Sequence, residues 1–222
     1  MSPGSPRPES LRDTLLEVAI ELFGEHGYAG ASLQRIADRV GIRKSSIFHH
    51  FEGKAGLALA AYDQVAERAV ERMEPLRREP PRLEHLLEYL DTAMVAAAEG
   101  PGAARLALRL LTDYPGPPRS VDPEDPASPS VRALGTLLGW FERARGAGAI
   151  RPVPPAHALL LVHGQLLLYP AAAHDVGPWL LGAEPAADPP RVQWRDPFAP
   201  EAVATWRKTT LDFVHRALTP DE

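Results

Sequence analysis

The stretch ASLQRIADRVGIRKSSIFHHFEGKAG, residues 31–56, carries positive charge in a chain that is otherwise acidic. Between Ser32 and Lys54 it holds Arg35, Arg39, Arg43, Lys44 and Lys54 against only Asp38 and Glu52, a net of +3, while the 222 residues together sum to −5. Its apolar residues fall into two short helical patterns. Leu33, Ile36, Ala37 and Val40 mark one helix, with Ser32 placed to cap it, and Gly41 follows at once. Ile47, Phe48 and Phe51 anchor a second, which Gly53 ends. Two short helices joined at a glycine, over a shared apolar face, predict a helix-turn-helix. Gly41 suits the turn because a positive φ is open to glycine and resisted by most side chains.

Outward from this motif, helical periodicity continues in both directions. Leu11, Leu15, Val18, Ala19, Leu22 and Phe23 form one stripe of an amphipathic helix that Gly27 stops. A long helix is expected from about Lys54 to the REPPR break, and others at about 82–98, 102–113, 129–146, 155–173 and 200–218. No segment alternates β-branched residues with period two, so strands are not expected. The expected fold is all-α: a disordered tail over 1–9, a three-helix helix-turn-helix domain over 10–55, and a larger helical domain over 56–222.

Composition narrows the functional classes. The 45% hydrophobic and 24% charged content is that of a soluble globular chain. The absence of cysteine excludes disulfides and thiolate metal sites. The longest apolar run, ALLLVHGQLLLYPAAA, is interrupted by His163, Gln165 and Pro170, and it is shorter than the ~18 clean residues of a membrane span. The proline-rich first ten residues do not read as a secretory signal, so the expected location is cytoplasmic, with no membrane partner. His157 and His163 lie six apart, on different helix faces, and no His-Glu-x-x-His, nucleophile elbow or phosphate loop is present. No metal, cofactor or catalytic residue is therefore expected.

On the second short helix the outward residues are Arg43, Lys44, Ser45, Ser46, His49 and His50, donors and cations without an acid. Double-stranded DNA is the matching partner. Cations neutralise its backbone, and Arg, Lys and Ser can read base edges in the major groove from a short helix.

The pattern Ser32, Ile36-Ala37, Gly41-Ile42, Phe48, His50-Phe51, Lys54 and Leu57, with the preceding helix and Tyr28, resembles the N-terminal signature of the TetR family of bacterial transcriptional regulators over about residues 10 to 60. The resemblance implies that Lys54, opening the fourth helix, and Ser32 meet backbone phosphate. It further implies that Arg43, Lys44, Ser45 and Ser46 face the groove, with His49 and His50 at the backbone. Three positions depart from the family pattern. Arg43 stands where a Ser or Thr cap is usual, Ser45 where Gly is frequent, and Phe48 where a Tyr hydroxyl would donate to phosphate; that lost bond is worth at most ~1.5–3 kcal/mol.

For the rest of the chain the resemblance implies a homodimer through the last two long helices, a palindromic operator, and a small-molecule effector that releases a repressor. HALLLVHGQLLLYPAAAH and the stripe Val203, Trp206, Thr210, Leu211, Val214, Leu218 with Phe213 could supply the dimer bundle. Candidates for effector contact, by type and location, are Tyr89, Met94, Arg105, Arg109, Tyr114, Trp140, His163, Gln165 and Tyr169. The proline-rich segment 176–199 is expected to pack on the surface or to reach the partner subunit. A competing reading is a TetR-fold protein that binds a small molecule or a protein and has lost DNA.

Overall fold

A computed structural model of the chain describes residues 10–112, 125–173, 183–184, 191–192 and 196–220. Tyr114 and most of the 176–199 segment lie outside them. The described residues form α1 (Leu11–Gly30), α2 (Leu33–Val40), α3 (Lys44–Ile47), α4 (Gly53–Arg72), a 3-10 turn (Glu74–Arg77), α5 (Leu83–Glu99), α6 (Pro101–Thr112), α7 (Pro129–Gly146), α8 (Pro155–Ala172) and α9 (Pro200–Leu218). Among the described residues the one departure from helix and turn is a two-residue antiparallel rung, Ala183–Glu184 against Arg191–Val192. Two paired residues are too few to leave a period-two signal.

Local signals account for the helix ends. Ser10 and Asp13 form a reciprocal capping box at the start of α1. Gly27, at φ 69°, kinks the chain, but helical hydrogen bonding resumes to Gly30. Ser32 caps α2 by accepting the Arg35 amide at 3.2 Å, and Gly41 ends it at φ 79° and ψ 32°. Gly53, expected to end α3, instead opens α4 at φ 72°, since α3 ends six residues earlier at Ile47.

Two apolar clusters hold the molecule. The first joins Leu15, Leu16, Ala19 and Phe23 of α1 to Ile36, Ile47, Phe51, and Leu57 and Ala61 of α4, and it reaches Leu106 of α6. The second gathers α5, α7, α8 and α9 around Trp140, Phe141, Leu86, Tyr89 and Met94. α4 serves both, since its first half packs into the first cluster, while Ala69 near its end and Met73 just past it pack with the second. At about 25 cal/mol per Å² of apolar surface removed from water, such fully enclosed side chains dominate the stabilisation of each cluster.

Two expectations about burial are corrected. Phe48, expected as an anchor of α3, is 56% exposed; the single turn of α3 points Ile47 inward, and Phe48 follows on the outer side. The stripe on α9 does not lie open for a partner. Trp206, Thr210, Val214 and Leu218 are buried within the same chain, against α5 and its neighbours, which leaves Phe213 64% exposed. On α8, Leu160 and Leu161 are 71% and 72% exposed and Leu168 is exposed as well, so one chain leaves part of this apolar helix uncovered.

Candidate nucleic-acid interface and effector cavity

The outer face of the helix-turn-helix is built by what lies beneath it. Ile36, Ala37 and Ile47 are fully enclosed, so α2 and α3 are seated on α1 with little rotational freedom. The Gly41 amide donates to the Ala37 carbonyl at 2.9 Å and the Ile42 amide to the same oxygen at 3.0 Å, which fixes the angle between the two helices. Arg43 occupies the cap position of α3 with no side-chain cap bond, so its guanidinium is not consumed there.

This arrangement exposes Arg43, Lys44, Ser45, Phe48, His49 and His50, with Ser46 half-buried. Among the described residues neither Arg43 nor Lys44 pairs with a carboxylate. The other cations of the stretch are differently placed: Arg39 pairs with Glu21 at 3.2 Å, and the Arg35 guanidinium meets His26 Nε2 at 2.8 Å. Both reach back to α1. The net charge of +3 thus divides into cations that brace the motif and cations that are presented outward.

Ser32 accepts the Arg35 amide through Oγ, which leaves its hydroxyl proton to donate elsewhere. Lys54 lies beside the same end of α2. Its Nζ stands 4.6 Å from the Tyr28 ring centroid and donates weakly to the Ala29 carbonyl at 3.4 Å. The ring holds the ammonium without neutralising it. Arg12 was not anticipated. Its guanidinium sits 5.2 Å above the Phe51 ring, beside the His50–Phe51 corner, and adds a cation to the rim. Its contact crosses 39 positions of sequence, and a lone arginine on an exposed helix face carries no signal of its own.

The effector candidates scatter. Tyr89 and His163 come together, with their rings stacked at 5.8 Å and Tyr89 Oη 3.0 Å from His163 Nε2. Burial pushes His163 down to about 4 and raises Tyr89, so the pair is neutral at ordinary pH. They line a cavity of about 270 Å³ among α4, α5, α6, α7 and α8. Met94 and Trp140 are core residues that do not line it. Arg105 faces a polar groove between α1 and α6. Arg109 donates to the carbonyls of Gly24 and Glu25 at 2.7 and 3.0 Å, tying α6 to α1. Gln165 and Tyr169 belong to a separate hollow between α8 and α9, where Tyr169 stacks on Trp206 at 4.3 Å and donates to the Pro197 carbonyl at 2.9 Å.

The cavity has two polar residues that the sequence reading missed, Arg68 and Arg72 of α4. Their spacing of four places both on one helix face, and the segment ERAVER carried that signal.

Residues 15–61 match the family pattern described as bacterial regulatory proteins, tetR family. The chain is similar to the HTH-type transcriptional regulator RutR of Escherichia coli K12, with 22% identity over 157 residues, 68% of this chain and 69% of the relative. It is similar to the HTH-type transcriptional repressor AcnR of Corynebacterium glutamicum at 40% identity over 65 residues, 29% of this chain and 35% of the relative. Among solved structures, AibR in complex with isovaleryl coenzyme A and operator DNA superposes with a TM-score of 0.64 at 18% identity, covering 91% of this chain and 97% of that one. The described helices contain no segment long and apolar enough to cross a membrane.

Proposed function

We propose that this chain, whose N-terminal domain belongs to the TetR family and whose fold is that of TetR-family regulators, is a ligand-responsive repressor that grips a palindromic operator as a homodimer. The observation that carries the reading is the presentation of Arg43 and Lys44 beside Ser45 and His49, all exposed and, among the described residues, without a carboxylate partner, on a helix seated by the buried Ile47. Arg43, Lys44, Ser45 and Ser46 enter the major groove. Ser32, Lys54, His49 and His50 meet phosphate, and Phe48 packs against the sugar-phosphate wall.

The dimer forms across the apolar groups that one chain leaves uncovered, Leu161 and Leu168 on one face of α8 with Leu160 beside them, and Phe213 on α9. Burying them in a four-helix interface removes the apolar surface from water and sets two copies of α3 on a two-fold axis. Reading successive grooves requires a separation of roughly 34–36 Å. A ligand in the cavity under α4 shifts the population toward a conformer with a different spacing. It acts only by its differential affinity for the two states, a coupling of about 1–3 kcal/mol in typical cases.

The test is a mobility shift on DNA flanking the chain's own gene, followed by the dependence of affinity on salt. Each phosphate neutralised contributes about 0.9 to the log–log slope. Lys44→Glu weakens binding to all DNA, whereas Ser45→Ala changes sequence preference more than overall affinity. A slope near zero overturns the contact assignment.

A further inference from the structure

The cavity beneath α4 is lined mostly by methyl groups. Alanines from α4, α5, α6 and α7 form most of its wall, together with Leu137 and Leu166. Against this apolar lining stand four polar side chains: Arg68, Arg72, Tyr89 and His163. Among the described residues, Arg72 has no carboxylate partner and donates only to the Arg68 carbonyl at 2.9 Å. Arg68 is held by Glu17 of α1, with Nη1 3.1 Å from Oε2 and Nη2 on Oε1, and Gln64 Nε2 donates to the same carboxylate at 2.9 Å. The nearby Glu67 is committed to Arg132. Two guanidinium groups therefore border an apolar hollow, and the carboxylate bonded to Arg68 comes from the first helix of the DNA-binding head.

The Tyr89–His163 pair adds a second, independent observation. Among the described residues His163 Nδ1 has no hydrogen-bond partner, although it is shut off from solvent. If Tyr89 donates to Nε2, the proton of His163 lies on Nδ1 and is unspent. If Nε2 carries the proton instead, the Tyr89 hydroxyl proton is unspent. Either tautomer leaves one donor of this pair without an acceptor, in residues that line the cavity, and a buried polar group left unpaired carries a cost that a new acceptor relieves. Arginines and a spare donor all ask for an acceptor. The volume of about 270 Å³ lies just below the range of about 300–1,000 Å³ usual for ligand pockets, which suits a compact molecule.

We propose that the effector is a small carboxylate with a short apolar body, and that its carboxylate engages Arg72 and draws Arg68 away from Glu17, loosening the tie between α4 and α1. This rests on the reading of the chain as a ligand-responsive regulator and names both its ligand class and its switch. An anion in the cavity and Glu17 compete for one guanidinium, so the head is released when the ligand is held. Arg68 suits this exchange because a guanidinium presents two edges, either of which can bind a carboxylate in a fork.

The test uses the full chain and calorimetric titration with matched probes, benzoate against benzamide and hexanoate against hexanamide, in the absence of DNA. At least one carboxylate binds ten-fold or more tightly than its amide. Arg72→Gln removes that preference, and Arg72→Lys, which keeps the charge, restores part of it; circular dichroism confirms that both variants fold. Glu17→Gln removes the competitor and raises affinity for the carboxylate three-fold or more, while the release of operator DNA by that probe becomes weaker. Binding of neither carboxylate, equal affinity for acid and amide, or an unchanged affinity in Glu17→Gln overturns the proposal. Operator binding is measured separately with no probe present. DNA binding without carboxylate preference defeats the effector assignment alone, and carboxylate binding without operator binding defeats the regulator reading alone.

Discussion

Gly24 of α1 and Gly102 of α6 cross so closely that a Cβ on Gly24 would stand 2.5 Å from the Gly102 carbonyl oxygen. The Arg109 guanidinium clasps the same crossing from the side, on the carbonyls of Gly24 and Glu25. The head is therefore joined to the larger helical part at two places, by this backbone contact and by α4. A ligand that moves α4 alone must work against a second contact that cannot slide freely.

Substituting Gly24→Ala sets two effects against each other. Alanine in a helix gains about 1 kcal/mol over glycine. The new methyl, however, meets a backbone oxygen, which has no rotamer to escape through, and overpacking of this kind costs about 1–3 kcal/mol. The net expectation is destabilisation, with weaker coupling between effector and operator because α1 and α6 are forced apart. Urea denaturation gives the first, and operator affinity with and without effector gives the second. An increase in stability would show that the crossing yields.

Ser32 has two roles, and two substitutions separate them. Ser32→Ala removes the bond to the Arg35 amide and lowers stability by about 0.5–2 kcal/mol. Ser32→Asp keeps a capping oxygen, so the fold retains its stability, but the added charge faces DNA phosphate and operator binding drops. If Ser32→Asp binds operator as the parent does, Ser32 is a cap only.

The exposed leucines of α8 allow a direct test of assembly. Leu161→Asp with Phe213→Asp places charge on surfaces that one chain leaves open, so the protomer keeps its fold. Sedimentation velocity then shows a monomer, and operator affinity falls far more than any single base contact explains, because the second half-site is lost. A dimer that survives both changes would move the interface elsewhere.

His163 makes stability depend on pH in a defined window. Its folded value of about 4 lies below the ordinary 6.5, because burial penalises the charged ring. The unfolded chain takes up a proton between these values that the native chain refuses. Stability is thus full above pH 6.5, declines as pH falls, and reaches its lowest contribution below about pH 4. The loss amounts to up to about 3 kcal/mol. Carboxylates also titrate here, so the measurement is the difference between the parent and His163→Gln in denaturation at pH 7.5 and pH 4.5. His163→Gln loses less on acidification.

The legible part of the molecule was the part governed by neighbours in sequence. The helices over Pro129–Gly146 and Pro200–Leu218 occupy the expected bounds, since amphipathic spacing and a proline in the first turn are local properties. Ser32 and Gly41 follow the same logic, because a cap and a left-handed turn need nothing beyond their own few residues. Phe48 shows where this fails. Periodicity cannot tell which side of a four-residue helix faces inward when only one turn exists to average over.

By itself, then, the chain of residues determined the helical class, the helix-turn-helix and the outward cations of α3, because propensity, capping and charge act within a turn or two. Tertiary structure alone decided that Arg35 and Arg39 turn back to brace α1, that the stripe on α9 is spent inside one protomer, and that Arg68 stands between Glu17 and a hollow shared with Tyr89 and His163. Those pairings join residues 51 and 74 positions apart, as Glu17 with Arg68 and Tyr89 with His163. No local rule selects one such partner among many, since the choice depends on how whole helices pack and on what each side chain finds within a few ångströms once they have.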